Sequence, residues 1–284
     1  MVKNSKGASI NWFPGHMAKA SRELEESLKL VDMIIEIRDA RMPFASFNES
    51  FKKIYSNKKR LIIFNKADQL NSIDIKKIED YFKDENILLI DARDKSIKSV
   101  VVKKINEICK DKVERNLRRG IKNTEIRSMV IGIPNVGKST FINTISSRKS
   151  LKVENKPGVT RNLQWVMVDK TIKLLDTPGI LPPKLNSEDD AILLSLLGSI
   201  KDDILDPIKT ATYALEYINN IDFNILKDRY NIETFDNPLE EIAKTKNILQ
   251  NNDYDLDKTA IFVINDVRNG KLGKILWEDL NARK

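Results

Sequence analysis

The sequence predicts an α/β domain built on a parallel sheet, followed by a small all-α domain. Three observations lead there. Short, largely apolar runs recur through residue 180, with helical patterns between most of them; such strands belong to parallel sheets covered on both faces. From about residue 186 the strand signal stops, and proline stands at the expected first position of helices. A chain of 284 residues is also long enough for two domains, each with its own core. The expected domains are 1–185 and 186–284.

Taken in order, the expected strands are "MIIEI" (33–37), "LIIF" (61–64), "ILLI" (87–90), "MVIGI" (129–133) and "TIKLLD" (171–176). Helical periodicity falls at 74–83, 97–118 and 138–147. In the second domain, "DP" at 206–207 and "NP" at 237–238 mark helix starts. The longest apolar run, "ILLSLLGSI" (192–200), is well short of the ~20 residues that span a bilayer. The N-terminal stretch has lysines and no apolar core of a secretory signal. No membrane is therefore expected among the partners. The single cysteine, Cys109, excludes an intramolecular disulfide and fits a reducing cytoplasm. Its spacing from Ile105 makes it a core thiol.

The net charge of +8 conceals an asymmetry: residues 1–185 carry a net +15 and residues 186–284 a net −7. Basic residues are densest at 95–127, with 11 Lys and Arg against 4 acids, including "ERNLRRGIK" (114–122). Such a patch suits nucleic-acid phosphates, and equally a lysine-rich solvated surface. Charge alone leaves both readings open.

The chemistry falls at the strand ends. "GIPNVGKS" (132–139) matches G-x-x-x-x-G-K-S between a strand and a helix, the context that a phosphate loop requires. Its glycines let backbone N–H groups curl around phosphate oxygens at a helix N-terminus. The expected nucleotide-binding residues here are Asn135, Val136, Gly137, Lys138, Ser139 and Thr140. Lys138 reaches the outer phosphates, and the Ser139 hydroxyl ligates Mg²⁺. "DTPG" (176–179) ends the strand that follows. Asp176 holds the metal through a water, the Gly179 N–H faces the terminal phosphate, and Thr160 in "PGVTR" supplies a second hydroxyl ligand.

The base is read by "NKAD" (65–68), after the strand "LIIF". A carboxylate at Asp68 accepts two adjacent N–H donors, an edge that guanine presents and adenine does not; adenine would leave the carboxylate unpaired. Lys66 covers the base plane, and Asn65 ties this loop to the phosphate loop. "DAR" (91–93) contributes Ala92, whose N–H faces the guanine carbonyl, and Arg93; Asp91 stands where serine is more usual.

These motifs resemble those of the Ras-like GTPases, with the base-reading pair placed before the phosphate loop. That order resembles the circularly permuted GTPases. Within them, "NWFPGHMAKA" (11–20), "DARMP" (39–43), "GIPNVGKST" (132–140), "PGVTR" (157–161) and "LLDTPGIL" (174–181) resemble the ribosome-biogenesis GTPase A family over most of the chain. The resemblance implies a circularly permuted Ras-like P-loop GTPase domain and a small all-α domain that binds RNA or ribosome. It also implies GTP and GDP as ligands with Mg²⁺. The implied partners are a large ribosomal subunit precursor, its rRNA and its ribosomal proteins. GTP hydrolysis is then triggered on that particle, in the cytoplasm.

Permutation also makes the segment after "DTPG" the link to the helical domain, so nucleotide state is expected to act on residues 186–284. Ile180 occupies the position where many GTPases carry a water-orienting glutamine, and isoleucine cannot do that work. His16 is the only histidine. Beside a Pro-Gly turn it reads as a helix-start or packing residue, whereas the resemblance implies a part in hydrolysis. Asn135 resembles the asparagine of potassium-stimulated GTPases, which adds K⁺ to the expected cations; a structural asparagine stays open. Arg38 and Arg41 in and beside "DARMP" are candidates for an RNA or phosphate contact, with Asp39 pairing locally with an arginine as the favoured reading. The alternative to a GTP hydrolase is a GTP-dependent RNA-binding scaffold with little turnover, which multiple-turnover phosphate release would distinguish. An ATP-driven enzyme is opposed by Asp68.

Overall fold

A computed structural model of the chain describes residues 22–55, 58–146, 164–182, 185 and 187–281. These fall into two compact units, one of residues 22–182 with 278–281 and one of Leu185–Trp277.

The larger unit begins with helix α1, described over 22–27, and strand β1 (Met33–Asp39). A short helix α2 (Lys52–Tyr55) precedes β2 (Lys59–Asn65), α3 (Ser72–Tyr81) and β3 (Ile87–Ile90). Then come α4 (Ile97–Ile108), α5 (Lys110–Arg118), β4 (Ile126–Ile131), α6 (Lys138–Ile145), β5 (Gln164–Met167) and β6 (Ile172–Asp176). The sheet order is β3-β2-β1-β4-β6-β5. All neighbours are parallel except the β5–β6 pair at the edge.

All seven residues of β1 are buried, as a central strand covered on both faces should be. One core cluster unites Leu24, Val31 and Ile34 with Met129, Ile131, Leu175 and Ile180. In register, Asp39 lies opposite Asn65, Asn65 opposite Ile90, and Val130 opposite Asp176. The carboxyl ends of the parallel strands therefore share one edge, the place where open α/β sheets bind ligands.

The five expected strands are present, and the helical pattern expected over 97–118 is present as two helices. The helix breaks at Cys109, between α4 and α5. The buried stripe of Ile97, Val101 and Ile105 ends at Cys109, and α5 buries no residue, so nothing holds the two segments on one axis. Cys109 is buried beside the Met33 sulfur at 3.6 Å, and burial pushes its thiol up to about 11.

The smaller unit comprises α7 (Glu188–Leu196), α8 (Pro207–Tyr230), α9 (Pro238–Thr245) and α10 (Leu256–Arg268). Pro207 and Pro238 occupy the first turns of α8 and α9, and the Asp206 side chain caps α8 by accepting from the Ile208 N–H at 2.9 Å. Arg229 on α8 donates twice to the buried Asp266 carboxylate of α10, at 2.8 and 2.9 Å. Arg268 of α10 donates to Ser195 O of α7 at 2.7 Å. A two-stranded hairpin, β7 (Leu249–Gln250) with β8 (Asp253–Tyr254), interrupts the helices. Its central Asn251 and Asn252 have φ of 53° and 69°, the left-handed pair that a two-residue hairpin turn needs. Among the described residues no helix is long and apolar enough to cross a membrane.

Candidate functional site

The loop from Gly132 to Gly137 joins the end of β4 to the start of α6. It turns sharply because Asn135 (φ 63°) and Gly137 (φ 95°) take left-handed backbone. Gly137 precedes the first turn of α6 and provides no side-chain cap, so the leading N–H groups of the helix face outward as an anion-binding end. A Cβ on Gly132 would lie 2.5 Å from the Ile37 carbonyl oxygen, and one on Gly137 2.2 Å from Asn65 Nδ2. Only glycine fits this approach.

Lys138 is buried, and its Nζ donates to Ile133 O at 2.7 Å, curling over its own loop. Burial lowers its pKa to about 8, with the Asp176 carboxylate opposing that shift. Asp176 is raised by burial, with Lys138 acting in the opposite sense. Gly179 closes on the same point: a Cβ there would stand 2.9 Å from Lys138 Nζ and 2.8 Å from Pro134 N. Ser139 and Thr140 are exposed at the start of α6, and among the described residues the Ser139 hydroxyl has no hydrogen-bond partner. Ile180 donates its N–H to Gly132 O at 3.3 Å and points its side chain into the core. Asn48 Nδ2 holds the Ile180 carbonyl at 2.9 Å.

One buried amide joins the phosphate loop to the "NKAD" and "DAR" loops. Asn65 Nδ2 donates to Val136 O, and Asn65 Oδ1 accepts from the Ala92 N–H, both at 2.8 Å. The tie expected from Asn65 to the phosphate loop is present, and the Ala92 N–H, expected to face a base, donates here to Asn65 Oδ1. Lys66 has left-handed backbone, and its ammonium lies 2.8 Å from the Asp39 carboxylate. Asp68 Oδ2 accepts from Arg93 Nη2 at 2.7 Å, and Arg93 also grips Asp91. The edge assigned to guanine thus carries a guanidinium in this structure. His16 and Thr160 lie outside the described residues.

Sequence reasoning did not foresee the link from "DARMP" to this site. Asp39 is fully buried. It accepts from Arg41 Nε at 3.0 Å and Nη2 at 2.9 Å, and from Lys66. Burial alone would raise its pKa, but Arg41 and then Lys66 override burial and hold the carboxyl well below the usual carboxylate range. The local pairing expected of Asp39 with an arginine is present, and the partner is Arg41. "DARMP" stands at a strand end, on the same sheet edge as "NKAD", and the pairing of β1 with β2 is what makes Asp39 and Lys66 neighbours. Arg38 is likewise buried, paired with Glu36 at 2.7 Å and stacked 4.2 Å over the Phe47 ring.

A phosphate loop, a "DTPG" strand end and an "NKAD" loop on one edge of a permuted six-stranded sheet define a circularly permuted P-loop GTPase. The sequence profile of the 50S ribosome-binding GTPase family matches residues 127–266. Ribosome biogenesis GTPase A of Priestia megaterium is 38% identical, covering 95% of this chain and 97% of its own length. The protein of that name from Thermotoga maritima is 30% identical, covering 95% and 94%. The chain belongs to the ribosome biogenesis GTPase A family. Two solved structures of YlqF from T. maritima, GNP-bound and GDP-bound, share the fold with TM-scores of 0.66 and 0.67. Each is 26% identical; they cover 92% and 90% of this chain, and this chain covers 98% of each. The chain is a guanine-nucleotide-binding GTPase of ribosome biogenesis.

Proposed function

We propose that this GTPase docks in the cytoplasm on a precursor of the large ribosomal subunit, through rRNA and ribosomal proteins, and hydrolyses GTP there. The observation that supports it most is the Asn65 amide, which fixes the base-reading loops against the phosphate loop as one site. Asp68 selects guanine by accepting two N–H donors, which requires Arg93 to release the carboxylate. Lys138 leaves the Ile133 carbonyl and places its ammonium on the outer phosphates. The N–H groups of Gly137, Lys138, Ser139 and Thr140 surround the remaining oxygens, and the Gly179 N–H meets the terminal phosphate.

The Ser139 hydroxyl and the Asp176 carboxylate are hard oxygen donors that suit Mg²⁺, with Thr160 as a further hydroxyl. Few protein ligands are expected at a Mg²⁺ site completed by phosphates and water. That ion would neutralise charge developing between the outer phosphates. Asn135, at the mouth of the loop, is the proposed K⁺ ligand. Ile180 is anchored in the core and orients no water; with the family resemblance, this makes His16 the proposed hydrolytic group. The segment after Gly179 leads into residues 186–284, so the state of the phosphate acts on the helical domain through that link.

The test is phosphate release with and without large-subunit precursors. Wild type should turn over many GTP per chain only with the particle; equal turnover without it would refute the reading. His16→Ala should keep GTP affinity within a few-fold and lose about 10²–10⁴-fold of the stimulated rate. Asp68→Asn should weaken GTP binding by about 5–150-fold, the effect of a mismatched polar edge worth ~1–3 kcal/mol, and should favour xanthosine nucleotide. Unchanged selectivity in competition would remove Asp68 from the base site.

A further inference from the structure

Basic residues crowd the amino-terminal end of the sheet, opposite the nucleotide edge, and most are neutralised locally. Lys59 pairs with Asp111, Arg60 with Glu85, Lys112 with Asp32 at 2.6 Å, and Arg127 with Glu125 at 2.6 Å. Lys173 shares Glu125. These pairs join helices and loops to the strand starts.

Helix α5 differs. Both of its acids are taken, Asp111 by Lys59 and Glu114 by Lys110 at 3.7 Å. Arg115, Arg118, Arg119 and the following Lys122 are exposed, with no acidic partner among the described residues. Arg115, Arg118 and Arg119 are spaced i, i+3 and i+4, so they rise from one face of the helix. The helix end is capped: Gly120 has φ +81°, its N–H donates to Leu117 O at 2.9 Å, and the Ile121 N–H donates to Asn116 O at 3.0 Å. Lys112 donates to Glu125 O and Asp32 Oδ2, both at 2.6 Å, holding α5 against the starts of β1 and β4. The arginines are therefore presented on a helix that Lys112 ties to the sheet.

We infer that Arg115, Arg118, Arg119 and Lys122 form a phosphate-binding face for RNA on the larger unit, remote from the nucleotide. Guanidinium groups grip phosphate oxygens in pairs and are weakly hydrated, which suits an RNA backbone better than a purely diffuse attraction. The acidic balance of residues 186–284 points the same way, since the larger unit holds the unopposed positive charge. This inference rests on the particle-docking reading and specifies which surface of the GTPase unit meets rRNA.

The test uses the full chain carrying Arg115→Ala, Arg118→Ala and Arg119→Ala together, with an Arg→Lys version at the same three sites. Binding to a short RNA duplex and to vesicles of anionic phospholipid is measured across a salt series, beside binding to large-subunit precursors, GTP affinity and thermal melting. GTP affinity should be unchanged, because none of these residues is at the nucleotide edge. The alanine variant should lower the slope of log affinity against log salt by about 2–3, close to one unit per phosphate contact. It should also weaken particle binding about tenfold or more, while the lysine version keeps most of the slope. An unchanged slope in a folded alanine variant would show that the arginines only balance the negative end of α5, and would overturn the inference. So would a loss confined to vesicles of anionic phospholipid. Wild type that binds the duplex through these arginines but never the particle would refute the docking reading and leave the RNA face standing.

Discussion

Lys138 carries a charge in a place that disfavours one, and the cost is visible in its titration. Burial lowers its pKa from 10.5 to about 8, while Asp176 opposes the shift. Between about pH 8 and 10.5 the folded protein has shed this proton and the unfolded chain has not, so nucleotide-free stability should rise with pH across that window. Nucleotide binding has the opposite sign. A triphosphate placed on the ammonium favours the charged form, so binding above pH 8 must take up a proton. GTP affinity should fall by up to about tenfold per pH unit above 8. Calorimetry near pH 9 in buffers of different ionisation heat should report close to one proton gained; no dependence on buffer would show that Lys138 stays charged in the free protein. The Asp68–Arg93 pair is a weaker lever. Arg93 is 66% exposed on its side chain, and exposed ion pairs contribute about 0–1 kcal/mol, so on the proposed role of Asp68 its release to guanine should cost little.

At the scale of elements, the phosphate loop and the base loop meet where neither tolerates a larger residue. Gly137→Ala would place a methyl group 2.2 Å from Asn65 Nδ2 on backbone already left-handed. Asn65 must then leave Val136 O and release the Ala92 N–H, so two loops loosen together. The expected result is weaker GDP and GTP binding alike, with a loss of stability of about 1–3 kcal/mol from the orphaned buried groups. Nucleotide titration and a denaturant melt check both, and wild-type affinity would refute the coupling. The elements that carry this site were legible because their signals are local. "LIIF" before "NKAD" and "MVIGI" before "GIPNVGKS" each put a strand, a turn and a motif in one window. What escaped was short or long-range. β5 is a four-residue edge strand, marked only by "QWVM". The hairpin at 249–254 showed in the sequence only as two adjacent asparagines. The contact of Lys66 with Asp39 joins two strand ends whose adjacency only the sheet order reveals.

For the whole molecule, the path of the chain is itself a constraint on the site. After leaving the larger unit near residue 182, the chain builds Leu185–Trp277 and then returns at Glu278. Glu278 is buried, and its carboxylate accepts from the Phe44 N–H at 2.7 Å and the Ala45 N–H at 3.0 Å. These residues continue into Ser46, whose Oγ accepts from the Asp39 N–H at 3.0 Å, and Asp39 in turn pairs with Lys66 of the "NKAD" loop. No local pattern could announce a bond between positions 234 apart. Its consequence is testable in the full chain. Glu278→Ala leaves two backbone donors without their carboxylate, a loss of about 1.5–3 kcal/mol for hydrogen bonds to a charged group. At ~2–4 °C per kcal/mol for a unit of this size, the melting temperature of the larger unit should fall by roughly 3–12 °C. Because the 44–46 turn positions Asp39, GDP affinity should fall in the same variant by a few-fold, with the guanine preference intact. Glu278→Gln, which keeps an acceptor, should recover part of both effects. A variant that melts and binds GDP like wild type would show that Glu278 merely rests on the turn.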